Sequence, residues 1–244
     1  MIANINRNSA EIMKIFETRI ATYIDYNGNK SIMKWIPPFT ACRALSSTAA
    51  VATPSGTTGD WFHPSLINPA WTEGTDYEVI KMGGFWVDMY LCSSYDATQD
   101  SMGTVASGTS AAYVSQPGVA PRVNQNIAHF RQYLKQRFNY GCFDFELPYG
   151  TNPNTVTKYA GKGGLITDAH WFEIWIWTRI NRWLLRGNTN GYNASNHIPQ
   201  WHNDPNDIGI LDGAWGYGLS VTGGGSKFWD VPISDFCGNR WEFT

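Results

Sequence analysis

The feature that most constrains this chain is its load of large rings: Trp, Tyr and Phe occur twelve times each in 244 residues, against 18 basic and 20 acidic side chains. So many rings demand either a sizeable core or a large contact surface, because each buries 150–250 Å² when covered, to order of magnitude. The length, at roughly 100–200 residues per domain, accommodates one large domain or two small ones. Disorder is excluded by the aromatic content. No window approaches the roughly 18 consecutive apolar residues of a membrane span, so no membrane insertion is expected. The start, Met1-Ile2-Ala3-Asn4-Ile5-Asn6-Arg7, lacks the charged-then-apolar order of a signal peptide, and an unprocessed chain is the expectation. A formal net charge of −2 and a pI near 6.2 argue against a general nucleic-acid binder, whose affinity rests on clustered Lys and Arg.

The charge is nonetheless blocked along the chain. Residues 1–43 sum to +3, 44–121 to −6, 122–186 to +5 and 187–244 to −4. Segments with different surfaces follow. Cys42, Cys92, Cys142 and Cys237 lie far apart with no C-x-x-C pair, which removes a local zinc knuckle. Buried free thiols or two disulfides are both compatible with that spacing.

Local patterns predict a short helix over Ser9 to Arg19, then a hairpin whose strands, Ala21 to Tyr26 and Lys30 to Ile36, flank Asn27-Gly28. Asn-Gly between β-prone runs fits a type I′ turn, in which both central residues take positive φ. Residues 46–58 and 98–121 read as long loops. Between them Tyr77 to Lys81 and Phe85 to Leu91 read as strands, the second covered on both faces. An amphipathic helix is expected over Val123 to Phe138, with Ile127, Phe130, Leu134 and Phe138 on one stripe and Gly141 as its stop. A second, from about Asp168 to Arg186, has Thr167 as N-cap and carries Trp171, Phe172, Trp175, Trp177 and Trp183, with Arg179, Arg182 and Arg186 on its polar side.

Signatures of catalysis are weak. His63, His129, His170, His197 and His202 include no H-E-x-x-H, no G-x-S-x-G is present, and Gly223-Gly-Gly-Ser226 lacks the Lys-[Ser/Thr] of a phosphate loop. Asp144 and Glu146 fall on one face of an expected strand, where a solvated edge explains them equally well. Trp201-His-Asn-Asp-Pro-Asn-Asp207 is oxygen-rich but lacks the order of an EF-hand loop, so no metal or other cofactor is called for. The segment 188–229 instead has the composition of recognition loops, in which rings give contact area and Asn, Ser and Gly give adaptable hydrogen bonds. Its candidate ligand-binding residues are Asn190, Tyr192, Asn193, Asn196, His197, Trp201, His202, Trp215, Tyr217, Phe228 and Trp229.

One ordered set of motifs goes beyond composition. Gly84-Phe-Trp-Val-Asp-Met-Tyr90 resembles the strand signature "G-x-F-x-I-D-x-Y/F-E" of the C-type lectin fold of the formylglycine-generating-enzyme-like type. Leu165-Ile-Thr-Asp-Ala-His-Trp-Phe-Glu173 is similar to that family's "L-[ML]-T-x-x-x-W-E-x-A" helix start, Arg186-Gly-Asn-Thr189 to its "R-G-N" turn, and Cys237-Gly-Asn-Arg-Trp-Glu-Phe243 to its "G-N-V-W-E-W" signature. Trp35-Ile-Pro-Pro-Phe39 resembles the "x-I-P-x-F" entry strand of phage versions. Arg240 and Phe243 depart from the usual Val and Trp, and relatives commonly continue beyond this motif into their variable segment.

The resemblance implies an α+β, loop-rich, C-type-lectin-like domain over 77–244, with two helices on short, mostly antiparallel strands. Residues 1–76 would form an N-terminal hairpin segment continuous with the fold and available for docking or homo-oligomerisation. Trp86, Trp171, Trp175 and Trp241 are then expected in its core. The implied function is non-enzymatic: a receptor-binding or variable protein, as in phage or archaeal-virus tails and diversity-generating retroelements, displaying a diversified surface to a host-surface protein or glycan. Its expected place is a virion or cell surface. The alternative is a tail or capsid component whose rings make permanent contacts with other virion proteins.

Overall fold

The computed structural model describes residues 19–99, 101–104, 112–122, 126–147, 151 and 163–181, and the backbone of 192–193 and 198–199. The Asn-Gly hairpin supplies the centre of its largest sheet. Strand β1 (Ile20–Ile24) pairs antiparallel with β2 (Lys30–Ile36), in register from Ile20 opposite Lys34 to Ile24 opposite Lys30. The turn itself is wider than type I′. Gly28 has φ +86 while Asn27 stays at negative φ, and the closing hydrogen bond joins the Asp25 N–H to the Asn29 carbonyl at 3.0 Å. The reason is Asp25: its Oδ1 accepts from the backbone N–H of both Asn27 and Asn29 at 2.8 Å, so a side chain, not a tight backbone turn, organises the tip.

Six further strands precede the second helix: β3 (Phe39–Ala44), β4 (Trp61–Phe62), β5 (Tyr77–Met82), β6 (Phe85–Asp88), β7 (Cys92–Ser94) and β8 (Tyr113–Ser115). The segment expected to be a loop at 46–58 contains a one-turn helix, α1 (Ser47–Ala50), capped by the Ser46 hydroxyl on the Ala49 N–H. Helix α2 (Ile127–Tyr140) begins at the Asn126 cap and ends at Gly141, whose φ of −92 shows an extended rather than left-handed stop. Strand β9 (Cys142–Phe143) follows, and Asp144–Glu146 is a 3-10 turn, not the expected strand. Helix α3 (Asp168–Ile180) starts at Thr167 as its sequence predicts, the hydroxyl accepting from the His170 N–H. Strands β10 (Tyr192–Asn193) and β11 (Ile198–Pro199) form a small antiparallel pair.

The protein is therefore α+β, with few helices among the described residues and antiparallel sheets ordered β6-β2-β1-β9, β4-β3-β5, β7-β8 and β10-β11. One face of the four-stranded sheet gathers Ala21, Tyr23, Met33 and Phe143, covered by Phe138 of α2. The opposite face presents Ile36 to Ile174 and Trp177 of α3. The three-stranded sheet also uses α3: Ala41 and Trp61 meet Ile176 and Ile180. Wedged between two sheets, α3 needs apolar side chains around most of its circumference, which accounts for its unusual density of Trp and Ile. The far side of the three-stranded sheet packs Cys42, Ala44, Phe62 and Tyr77 against Ala49, Ala50 and Ala52. Strand β6 lies at a sheet edge among the described strands and all four of its residues are half-buried, so the full cover expected for it is not reached.

Candidate functional site

The motif residues sit where charge and backbone must be pinned. Asp88, the acid of the strand signature, is on β6 opposite Met33, and its two carboxylate oxygens accept from Nη1 and Nη2 of Arg137 at 2.8 and 2.7 Å. The Arg137 side chain is 2% exposed and that of Asp88 27%. Burial alone would lower the Arg137 pKa, but the paired carboxylate outweighs it and holds the guanidinium charged. Its plane also approaches the rings of Tyr23 and Phe138, at 5.5 and 5.0 Å to the centroids. The Arg137 carbonyl accepts from the Tyr23 hydroxyl at 3.1 Å, tying helix to sheet a second time.

A second peg ties the hairpin tip to the same helix. The Tyr133 hydroxyl donates to Oδ2 of Asp25 at 2.9 Å, and the Asn29 amide donates to that oxygen too. Burial pushes the Tyr133 and Tyr23 phenols well above their usual value, so both act as donors throughout the ordinary pH range. Sequence reading missed these residues as a group. Tyr133 and Arg137 lie one turn apart on α2, beside the Leu134–Phe138 pair that was assigned to the core, and that spacing is the signal that would have found them.

The third peg is Glu173, the acid of the helix-start motif. Its Oε2 accepts from the Gly83 N–H at 2.7 Å, next to the Gly84 that opens the strand signature. Gly83 is irreplaceable on two counts: φ is +81, and a Cβ would fall 2.1 Å from the Pro37 carbonyl oxygen. From these pegs an aromatic row runs across the sheet, Trp35 to Trp86 at 5.4 Å, Trp86 to Phe143 at 4.8 Å and Phe143 to Phe145 at 5.2 Å.

The partition of tryptophans differs from expectation. Trp86, Trp171 and Trp175 are half-buried, while Trp61 and Trp177, at 6% and 7% exposure, are the buried ones among the described residues. Trp241 lies outside them. The cause is position: Trp86 is on an edge strand and Trp171 and Trp175 lie on the flanks of α3, whereas Trp61 and Trp177 point into the wedge.

Of the predicted ligand-binding residues, Tyr192 and Asn193 form β10, opposite Pro199 and Ile198 respectively. Asn190, Asn196, His197, Trp201, His202, Trp215, Tyr217, Phe228 and Trp229 lie outside the described residues, as does the oxygen-rich stretch around Asp204. So do residues 9–18 of the helix predicted over Ser9 to Arg19, whose last residue is not helical at φ +55, and the R-G-N and G-N-x-W-E-W segments.

Chemically, the described side chains are quiet. No group of three or more potential metal ligands occurs among them. Cys42, Cys92 and Cys142 are free, and burial pushes their thiols up to about 11, about 12 and about 11. A thiol there is no nucleophile at neutral pH. Lys34, buried on the sheet, is held down to about 8, by burial first and by the Arg19 charge second. Glu146 folds back so that its Oε2 accepts from the Phe143 N–H at 3.2 Å, and burial raises its pKa. No helix among the described residues is long and apolar enough to cross a membrane. Compared with known proteins, the chain matches no family model, no curated protein and no solved structure.

Proposed function

We propose that this chain is a non-enzymatic recognition protein that displays a diversified binding surface, drawn from segment 188–229, on a C-type-lectin-like scaffold at a virion or cell surface. The observation that carries the reading is the use made of the motif acids. Asp88 and Glu173, which the resemblance marks, are both spent on holding the frame: one pins α2 to the sheet through Arg137, the other pins α3 to the turn before β6. A scaffold that presents irregular, ring-rich segments needs such rigid anchoring, since binding loops gain precision from the elements beneath them. The high thiol pKa values and the back-folded Glu146 further favour binding over catalysis.

The partner class is a host-surface protein or glycan, met by Trp215, Tyr217 and the neighbouring Asn residues. The test is immobilised full-length protein screened against host-surface proteins and glycans. Trp215→Ala and Tyr217→Ala are expected to lose the partner that the parent chain captures. If both variants keep every captured partner, the surface is elsewhere and the reading fails. If instead the rings prove to be covered by other virion components in the assembled particle, the role is structural.

A further inference from the structure

The turn at the centre of the largest sheet holds a reactive pair. Asn-Gly is the dipeptide in which asparagine loses its side-chain amide most readily, because Gly28 has no Cβ to keep its backbone nitrogen away from Cγ of Asn27. In that reaction the Gly28 nitrogen gives up its proton and bonds to Cγ. The Cγ–Nδ2 bond breaks, and the leaving nitrogen takes up a proton and departs as ammonia. Water then opens the five-membered imide at one of its two carbonyls, giving aspartate or isoaspartate, with no change of oxidation state.

Asn27 is exposed, so water reaches it, but the fold holds the nucleophile away. The Gly28 N–H donates to the Asp25 carbonyl at 3.0 Å, and ring closure requires that peptide plane to turn toward the Asn27 side chain. The plane before Asn27 is fixed as well, its N–H on Oδ1 of Asp25 at 2.8 Å, and the Asn29 N–H donates to the same oxygen at 2.8 Å. The Asp25 carboxylate also opposes the negative charge that the Gly28 nitrogen acquires when it loses its proton. Asp25 in turn is held still. It is 2% exposed, and its Oδ2 accepts from the Asn29 amide and from the hydroxyl of the fully buried Tyr133, each at 2.9 Å. A residue of α2, 108 positions away, thus closes the turn.

We propose that Asn27 is a self-modification site, deamidating through a succinimide, and that the Tyr133–Asp25 hydrogen bond between α2 and the hairpin gates it. While α2 is docked the turn is shut and the reaction is slow; once the hairpin parts from α2, it runs at the rate of a free peptide. Isoaspartate adds a methylene to the main chain ahead of Gly28 and a carboxylate beside Asp25, so a turn that has reacted does not close again. The site is independent of what segment 188–229 binds.

The test is to incubate the full chain in neutral buffer for weeks and follow conversion at Asn27 by mass spectrometry of the tryptic peptide Ile20–Lys30. Peptide mapping separates this site from the second Asn-Gly pair at Asn190, and an unincubated sample taken through the same digestion sets the zero. Conversion in the folded parent is expected to be slower than in the synthetic peptide of the same sequence by roughly tenfold or more, since only the open fraction reacts. Tyr133→Phe keeps the ring and removes only the hydroxyl; it is expected to speed conversion roughly tenfold, the scale of a hydrogen bond to a charged acceptor. A folded parent that converts as fast as the peptide overturns the proposal. So does a folded Tyr133→Phe chain that keeps the parent's rate. Should Tyr133→Phe lose its fold, as judged by circular dichroism, Asn29→Ala, which takes the other side-chain donor from Asp25, decides alone, and an unchanged rate there overturns the proposal.

Discussion

The two larger sheets differ in what fills the space against their outer faces. In the four-stranded sheet, contacts across the core are made by long polar side chains from distant parts of the chain: Arg137 to Asp88 and Tyr133 to Asp25, 49 and 108 positions apart. In the three-stranded sheet, the outer core is Ala44, Ala49, Ala50, Ala52 and Cys42 around Phe62 and Tyr77, with its elements neighbours in sequence. A sheet assembled from remote segments gains register from directional bonds. One assembled from strands close in sequence can rely on close approach of small residues. The price of the first strategy is sensitivity, because a buried charge that loses its partner is left uncompensated.

Three ion pairs among the described residues grade this contrast. Arg137–Asp88 lies in the first region, and Asp88→Ala should cost about 3–5 kcal/mol, read as a fall in the urea midpoint without a change of slope. A loss under about 1 kcal/mol would show that the rings around Arg137, not the ion pair, hold α2 in place.

Arg179–Asp60 joins α3 to the second sheet, with side chains 32% and 8% exposed. Burial on its own would raise the Asp60 pKa, but hydrogen bonds from Arg179 and Ser55 override it and bring the group from 3.8 to about 2. Because the folded carboxyl is then more acidic than the unfolded one, its contribution is complete above about pH 5 and fades as pH falls toward about 2. That contribution is on the order of 2 kcal/mol, and Asp60→Asn should flatten stability against pH across this window. An unchanged acid profile in that variant would place the acid sensitivity in other carboxylates.

Arg43–Glu78 spans β3 and β5 with side chains 47% and 37% exposed. Glu78→Gln should change stability by less than about 1 kcal/mol, and a larger loss would mean that the β3–β5 pairing itself depends on this exposed pair.

Local signals in the sequence were read well where a single residue decides the outcome. Thr167 starts α3, Asn27-Gly28 marks the β1–β2 hairpin, and the 3–4 spacing of Leu134 and Phe138 marks α2. Failures came where a distant partner overrides local character. Arg137, which no local pattern singles out, is buried because Asp88 neutralises it from a strand. Asn27 reads as a type I′ position, yet Asp25 reorganises the turn while anchored by Tyr133. Helix α1 hides among Ser, Thr and Ala because four residues carry no period, and its formation rests on the Ser46 cap and on Ala packing. The proposed binding surface was legible only as composition, since Trp215 and Tyr217 belong to no motif with fixed spacing.

The connectivity of the four-stranded sheet also sets an order of events during synthesis. All strands of the β4-β3-β5 sheet have been made once Met82 is added, whereas the β1–β2 hairpin waits for Cys142 and Phe143 before its sheet can close. Until then Tyr23 and Asp25 have neither the Phe143 ring nor the Tyr133 hydroxyl that later cover them. The hairpin strands, made early, are thus sealed late, and on the ribosome their rings stay uncovered until the chain has grown past Phe143.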